Sequence, residues 1–206
     1  MKFVLASHNR GKLAEMQKIL GELGVEVVLQ SDLGLALEPE ETGDTFAENA
    51  LIKARAVMEA SGLPAIADDS GLMVDALGGE PGVYSARYGG EINKNDWDRL
   101  VYLLKKMEQI PDGQRSAKFV SVITMVTPDG KVIAARGECP GTILWEARGT
   151  GGFGYDPIFY ATEAGCTFAE VTAEVKNQMS HRARALAAFA AKVREENEHV
   201  NNETAR

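Results

Sequence analysis

Two acidic pairs, Glu40-Glu41 and Asp68-Asp69, are the residues best suited to chemistry. Two carboxylates held about 4 Å apart repel by roughly 4 kcal/mol at an effective dielectric of ~20. A divalent cation removes that cost, and all-oxygen ligation favours Mg²⁺ or Mn²⁺ over Zn²⁺. The Asp pair follows a short apolar stretch, Ala65-Ile66-Ala67, and strand ends in α/β folds are where ligands sit. Both pairs also have plainer readings. Glu40 and Glu41 precede a helix start, where negative charge is favourable in itself, and Asp68-Asp69-Ser70-Gly71 makes a good turn.

Basic and glycine-rich segments supply the complementary groups. Ser7-His8-Asn9-Arg10-Gly11-Lys12 joins a strand to a helix. The first turn of a helix offers unpaired N–H groups and partial positive charge to a phosphate, or a polar loop with an N-cap. It is not a Walker A loop, because no glycine stands five positions before Gly11 and Leu13 replaces the required Ser/Thr. Lys53 stands four residues after Asn49 on one helical face. There it could neutralise the carboxylates, contact phosphate, or simply face solvent. Gly149 to Gly154 fits the letters G-x-G-x-x-G, but Tyr155-Asp156-Pro157 and a strand-like segment follow instead of a helix. A dinucleotide fold is therefore rejected. The run reads as a flexible turn that brings backbone close to a ligand, with Phe153 or Tyr155 as a stacking face. Ser180-His181-Arg182 opens the last helix, with Lys176 just before it. Cations there oppose the helix dipole, which suits either an anion or base-edge recognition element or a solvated basic patch.

The elements that must position these groups can be sketched from periodicity. Residues 3–6 and 25–29 read as strands, flanking a helix with Leu13, Met16, Leu20 and Leu23 on one face. Thr45 and Glu48 form a capping box for a helix that Ser61-Gly62-Leu63-Pro64 ends. Residues 65–67 are a short buried strand, and 78–95 are loop. Trp97, Leu100, Val101, Leu104 and Met107 form a helical stripe. Phe119–Val126 and Lys131–Arg136 make a hairpin through Thr127-Pro128-Asp129-Gly130, with further strands at 143–145 and 158–160. The last helix buries Leu186, Phe189, Ala190 and Val193, and a polar, frayed tail occupies 196–206. This alternation predicts α/β with a mixed sheet, as one domain over 1–195.

A chain of 206 residues holds one core, or two lobes sharing a sheet. A formal net charge of −8 opposes non-specific binding to nucleic acid or anionic membranes. Neither expectation includes a membrane span or signal peptide, since no apolar run is long enough. Cys139 and Cys166 make no disulfide framework or metal spacing, and both are expected as buried, reduced thiols of a cytoplasmic protein.

Several of these segments, in the same order, resemble the inosine/xanthosine triphosphate pyrophosphatase family. They are Ser7-x-Asn9-x-x-Lys12, Glu41-Thr42-Gly43-Asp44-Thr45-Phe46-x-x-Asn49-Ala50, Ala67-Asp68-Asp69-Ser70-Gly71-Leu72, Pro81 to Tyr88, Gly151 to Phe159, and Ser180-His181-Arg182. The resemblance runs from Phe3 to about Leu186. It implies a homodimer, each subunit with two α/β lobes around a long, mixed, twisted sheet and an active-site cleft between them. It implies a hydrolase of acid anhydrides that cleaves deaminated purine nucleoside triphosphates (ITP, dITP, XTP) between the α- and β-phosphates, with one Mg²⁺ per subunit and Mn²⁺ as a substitute. Carried over by motif, Ser7, His8, Asn9, Arg10, Gly11 and Lys12 hold the triphosphate, joined by Lys53. Glu40 and Asp69 ligate the metal, with Glu41 the alternative to Glu40, and Asp69 is also the proton acceptor for water. Ser70 touches the substrate, while Phe153, Gly154, Tyr155, Asp156, Lys176, His181 and Arg182 enclose and read the base. His8 departs from the family pattern, which favours a small residue there. The alternatives are a Maf-like pyrophosphatase with another base preference and a non-catalytic nucleotide sensor.

Overall fold

The computed structural model describes residues 1–90 and 93–204, with side-chain surroundings through Glu196. Seven strands form one sheet in the order β2-β1-β3-β4-β5-β6-β7. They are β1 (Lys2–Leu5), β2 (Glu26–Leu29), β3 (Ala65–Val74), β4 (Ser116–Val126), β5 (Val132–Ile143), β6 (Phe159–Ala161) and β7 (Cys166–Thr167). The helices are α1 (Arg10–Leu20), α2 (Phe46–Ser61), α3 (Asp96–Lys106), α4 (Ala173–Met179) and α5 (His181–Thr204). β1 runs parallel to both β2 and β3, whereas β6 is antiparallel to β5 and β7. The sheet is thus mixed, and the protein is α/β.

The chain forms two compact units. The first comprises residues 1–69, 122–137 and 185–206, and the second 70–121 and 138–184. In the first unit, strand alternation sorts residues onto two faces. Phe3, Leu5 and Ile66 pack with Met16 and Leu20 of α1 and with Leu186, Phe189 and Val193 of α5. Val4, Ala65 and Ala67 face the other way, toward Ala54 and Val57 of α2. Helix α2 starts and stops on local signals. Thr45 and Glu48 cap it reciprocally, and Gly62 closes it at φ 68°, a left-handed value that glycine adopts without a Cβ penalty. Helix α1 ends in a 3₁₀ turn, Gly21–Leu23, stopped by Gly24.

The second unit is built around Phe119, Phe159 and Phe168, whose rings lie 4.6 to 5.9 Å apart. Fully buried Arg115 donates to the carbonyls of Met107, Ile110, Ile143 and Leu144, and its guanidinium lies 3.9 Å from the Trp145 ring centre.

Several expectations need correction. β3 does not stop at Ala67 but continues to Val74, so Asp68-Asp69-Ser70-Gly71 is strand and not turn. The buried side of α3 is Leu100 and Leu103, while Trp97 and Val101 are exposed. β4 and β5 extend beyond the expected hairpin, and β5 absorbs Ile143. β7, α4 and a 3₁₀ turn at Gly82–Arg87 carry no clear periodicity and were not foreseen. Cys139 is buried, but Cys166 is only half-buried; both are free thiols. Backbone helix α5 runs through Thr204, into the segment expected as a tail. Residues 91–92 of the expected loop, and the side chains from 197 on, lie outside the described residues.

Candidate active site

The parallel register sets the site. Val4 and Leu5 pair with Ala65 and Ile66, and the Ala6 N–H donates to the Ile66 carbonyl at 2.9 Å. The loop leaving β1 therefore emerges beside Asp68. The order β2-β1-β3 also places connections on both sides of β1, the arrangement that opens a crevice at strand C-termini.

Strand parity then separates the two aspartates. Asp68 shares the face of Ile66, on which α1 packs, and Lys12 of α1 reaches it at 3.0 Å. Asp69 shares the face of Ala65 and Ala67, on which α2 packs, and Lys53 of α2 reaches it at 2.6 Å. Adjacent aspartates thus have separate lysines. They do not form the close carboxylate pair expected from their adjacency, and no metal-binding cluster of three His, Cys, Asp or Glu occurs among the described residues.

Lys53 Nζ also contacts Glu41 at 2.9 Å and the Asp68 carbonyl at 3.3 Å. The solvent-facing alternative for Lys53 is excluded: its side chain is only 16% exposed. Burial alone would lower the ammonium's pKa. The attraction and hydrogen bond of Asp69, followed by those of Glu41, outweigh burial and hold it above 10.5. Asp69 is pushed up by burial, pulled down by Lys53, and pushed up again by Glu41 and Asp68; the net direction is upward. Its carboxylate is thus more basic than an exposed one.

The acidic loop is fastened to the helix carrying Lys53. The Gly43 N–H donates to Asn49 Oδ1 at 2.8 Å, and the Asp44 and Thr45 N–H groups donate to Glu48 Oε2 at 2.9 Å. A Cβ on Gly43 would stand 2.5 Å from the Glu48 Cβ, so this close approach requires glycine. The turn directs Glu41 inward, while Glu40 is exposed. Glu41, and not Glu40, is therefore the carboxylate that contacts the Lys53 ammonium beside Asp69.

A pocket of about 280 Å³ is lined by residues including Ser7, His8, Lys12, Glu41, Lys53 and Asp68. Asn9 caps α1, its Oδ1 accepting from the Gly11 and Lys12 N–H groups at 2.8 and 3.1 Å. Those two donors are already satisfied, so the loop's cationic and side-chain groups, more than the bare helix terminus, face an anion. Ser7 Oγ accepts from the Asn9 N–H at 3.1 Å. Arg10 is exposed at the start of α1, and Ser70 is half-buried in β3. Gln30, Leu37, Glu38 and Pro39 also line the pocket and were not foreseen. The position of Gln30 directly after the β2 stretch was the available signal.

In the second unit, Phe153 is 64% exposed with Lys176 Nζ 4.5 Å from its ring centre. Buried Asp156 pairs with Lys176 and accepts from the Phe153 N–H at 2.9 Å. The Gly154 N–H donates to Asp96 at 2.8 Å. Tyr155 is not a stacking face: its ring is buried and its hydroxyl donates to the Ser85 carbonyl at 2.9 Å. The glycines serve protein contacts, since a Cβ on Gly149 would lie 2.6 Å from Ala169 backbone and one on Gly152 would lie 2.1 Å from Asp156 Oδ2. His181 is buried and stacks on Phe119 at 4.9 Å, while Arg182 is half-buried.

The structure is thus an open α/β sheet with lysine-bridged carboxylates beside the pocket at the end of β1. The chain belongs to the Ham1 family, whose pattern matches residues 3–192. It is 52% identical over 194 residues to the dITP/XTP pyrophosphatase of Haemophilus influenzae, covering 93% of this chain and 98% of that one. It is 53% identical over 189 residues to the protein of the same name from Thermus thermophilus, covering 92% and 90%. The solved structure of the Staphylococcus aureus Ham1 protein superposes with a TM-score of 0.87 at 42% identity, covering 95% of this chain and all of that one.

Proposed function

We propose that the protein is a nucleoside-triphosphate pyrophosphatase that hydrolyses ITP, dITP and XTP to the monophosphate and pyrophosphate. The observation that carries the reading is the Glu41–Lys53–Asp69 bridge beside the pocket that Lys12 lines, in a chain about half identical to dITP/XTP pyrophosphatases along nearly its whole length.

Lys12, with Ser7 and His8, binds the triphosphate, whose roughly four negative charges demand cationic groups. Asp69, its basicity raised by burial, accepts the proton of the attacking water. Lys53 orients that carboxylate. Asp69 and Glu41 already share one cation, the Lys53 ammonium, so this all-oxygen pair fits Mg²⁺ or Mn²⁺; Glu40 would join only by turning inward. When bound, the metal neutralises phosphate charge and polarises the P–O bonds. Phe153 offers its exposed face to the base, Lys176 and Asp156 hold that ring's surroundings, and Arg182 with His181 supplies donors for a 6-keto oxygen. An amino group at that position leaves such donors unpaired, which discriminates by up to ~10⁴–10⁵. The protein works as a homodimer in the cytoplasm.

The test incubates the protein and MgCl₂ separately with ITP, XTP, dUTP, GTP and ATP, with and without inorganic pyrophosphatase. Phosphate from ITP and XTP that requires the auxiliary enzyme supports the reading. Comparable kcat/KM for ATP and ITP, or no turnover of any triphosphate, refutes it.

A further inference from the structure

One buried polar side chain at the pocket has no role in the reaction described above. Gln30 is 2% exposed and opens the 3₁₀ turn that follows β2. Its Nε2 lies 3.0 Å from the Leu37 carbonyl and 3.1 Å from His8 Nε2. Its Oε1 is buried without a hydrogen-bond partner among the described residues. Gln30, Leu37 and His8 all line the pocket, together with Lys12 and Lys53.

These partners fix the proton positions. A carbonyl oxygen only accepts, so the atom facing Leu37 is the amide nitrogen. Its two hydrogens are then spent, one on the Leu37 carbonyl and one on His8 Nε2. Rotating the amide by half a turn sets oxygen against oxygen at the Leu37 carbonyl. His8 Nε2 is therefore an acceptor, and the ring proton of the neutral imidazole sits on Nδ1. An unrestrained imidazole samples both tautomers, and in one of them Nδ1 carries a lone pair in place of a proton.

We propose that Gln30 is a positioning residue for the phosphate site: its amide holds His8 as the Nδ1–H tautomer, so the ring offers the pocket a donor and not a lone pair. The ligand class is a phosphate chain, and the inference rests on the triphosphate reading of this pocket. It also gives a function to the histidine that replaces the small residue expected after Ser7. Gln30 ties two pocket walls together, the loop after β1 through His8 and the segment before Glu38 through Leu37.

The tautomer is read directly by long-range ¹H–¹⁵N NMR of the imidazoles at pH 8. The chain has three histidines, and His8→Ala identifies the relevant signals. The expected spectrum shows protonated Nδ1 and unprotonated Nε2 for His8, with the single tautomer lost in Gln30→Met. A wild-type ring protonated at Nε2 overturns the proposal, and it does so whether or not any variant folds. Binding of inorganic tripolyphosphate with MgCl₂, followed by calorimetry, supplies the second readout. His8→Ala is expected to weaken it about 10-fold, since a hydrogen bond to a charged group is lost. Gln30→Met is expected to weaken it several-fold, and the double variant no more than His8→Ala alone. Unchanged affinity in Gln30→Met, or a Gln30→Met loss that persists undiminished in the His8→Ala background, overturns the proposal by leaving Gln30 only its tie to Leu37. If triphosphate turnover fails while the tautomer and tripolyphosphate results hold, the function reading fails and the positioning role stands.

Discussion

Lys53→Met removes the ammonium that links Glu41 to Asp69 while keeping most of the side chain's length. At 2.6 and 2.9 Å, each pairing carries about 6 kcal/mol of Coulomb attraction at an effective dielectric of ~20. Burial of the three charges offsets most of this. Breaking a buried pair nevertheless leaves uncompensated carboxylates and typically costs about 3–5 kcal/mol. Asp69 already has a raised pKa, so it relieves part of the loss by taking up a proton, and about 3 kcal/mol is expected at pH 7.5. For a chain of this size that lowers Tm by roughly 6–12 °C. The sign with pH follows from the same groups. Lys53 has a folded pKa above 10.5, so its contribution is complete below its unfolded value and vanishes as pH rises through the folded one. Asp69 ionises with difficulty in the fold, so acidification removes the charge that Lys53→Met leaves bare. The gap in Tm between wild type and variant, measured in EDTA by circular dichroism, should narrow from pH 7.5 to pH 5. Coincident melts at pH 7.5, or a gap that is the same at both pH values, would refute the bridge as described.

The remaining predictions concern turnover. Asp69→Asn should reduce kcat for ITP by about 10³-fold, within the range of general-base losses, while ITP binding survives and Tm does not fall, because a reluctantly ionised buried carboxylate is removed. Turnover near wild type would end the base assignment. Phe153→Ala should raise KM for ITP about 10-fold, as loss of a stacking face does, with Tm nearly unchanged because the ring is exposed. Tyr155→Phe should do the reverse, costing about 1 kcal/mol of stability through the bond to Ser85 and leaving KM alone; a KM effect confined to Tyr155→Phe would invert the two roles.

The contrast between α2 and β3 shows what was readable in the residues. Helix α2 was legible to within a residue because its start and stop are local: Thr45 with Glu48 at one end, Gly62 at the other. β3 was cut short because Asp68-Asp69-Ser70-Gly71 favours a turn locally, while the register with β1 ends at Ile66 and the neighbour that remains for the rest of the strand is β4, far along the chain. The motif residues Lys12, Lys53, Asp68 and Asp69 were all identified, but their partnerships were not. Helical spacing says which residues share a face and nothing about what covers it, so Lys53 could not be told from a solvated lysine. Which of Glu40 and Glu41 meets Lys53 turns on a loop conformation that Gly43 and Asn49 impose from six residues apart. Tyr155 and Phe153 have similar side chains two positions apart, and only tertiary packing decides which one is buried.

Gly43 carries a mechanical consequence. Its bond to Asn49, with the two backbone bonds from residues 44 and 45 to Glu48, rivets the acidic loop to the first turns of α2. Glu41 and Lys53 are therefore mounted on one support, and their mutual contact is set within it. The contact between Lys53 and Asp69 crosses from that support to the sheet, so it depends on how α2 packs against β3 and not on the loop. A side chain at position 43 would meet the Glu48 Cβ and spread the rivet, letting carboxylate and ammonium drift independently.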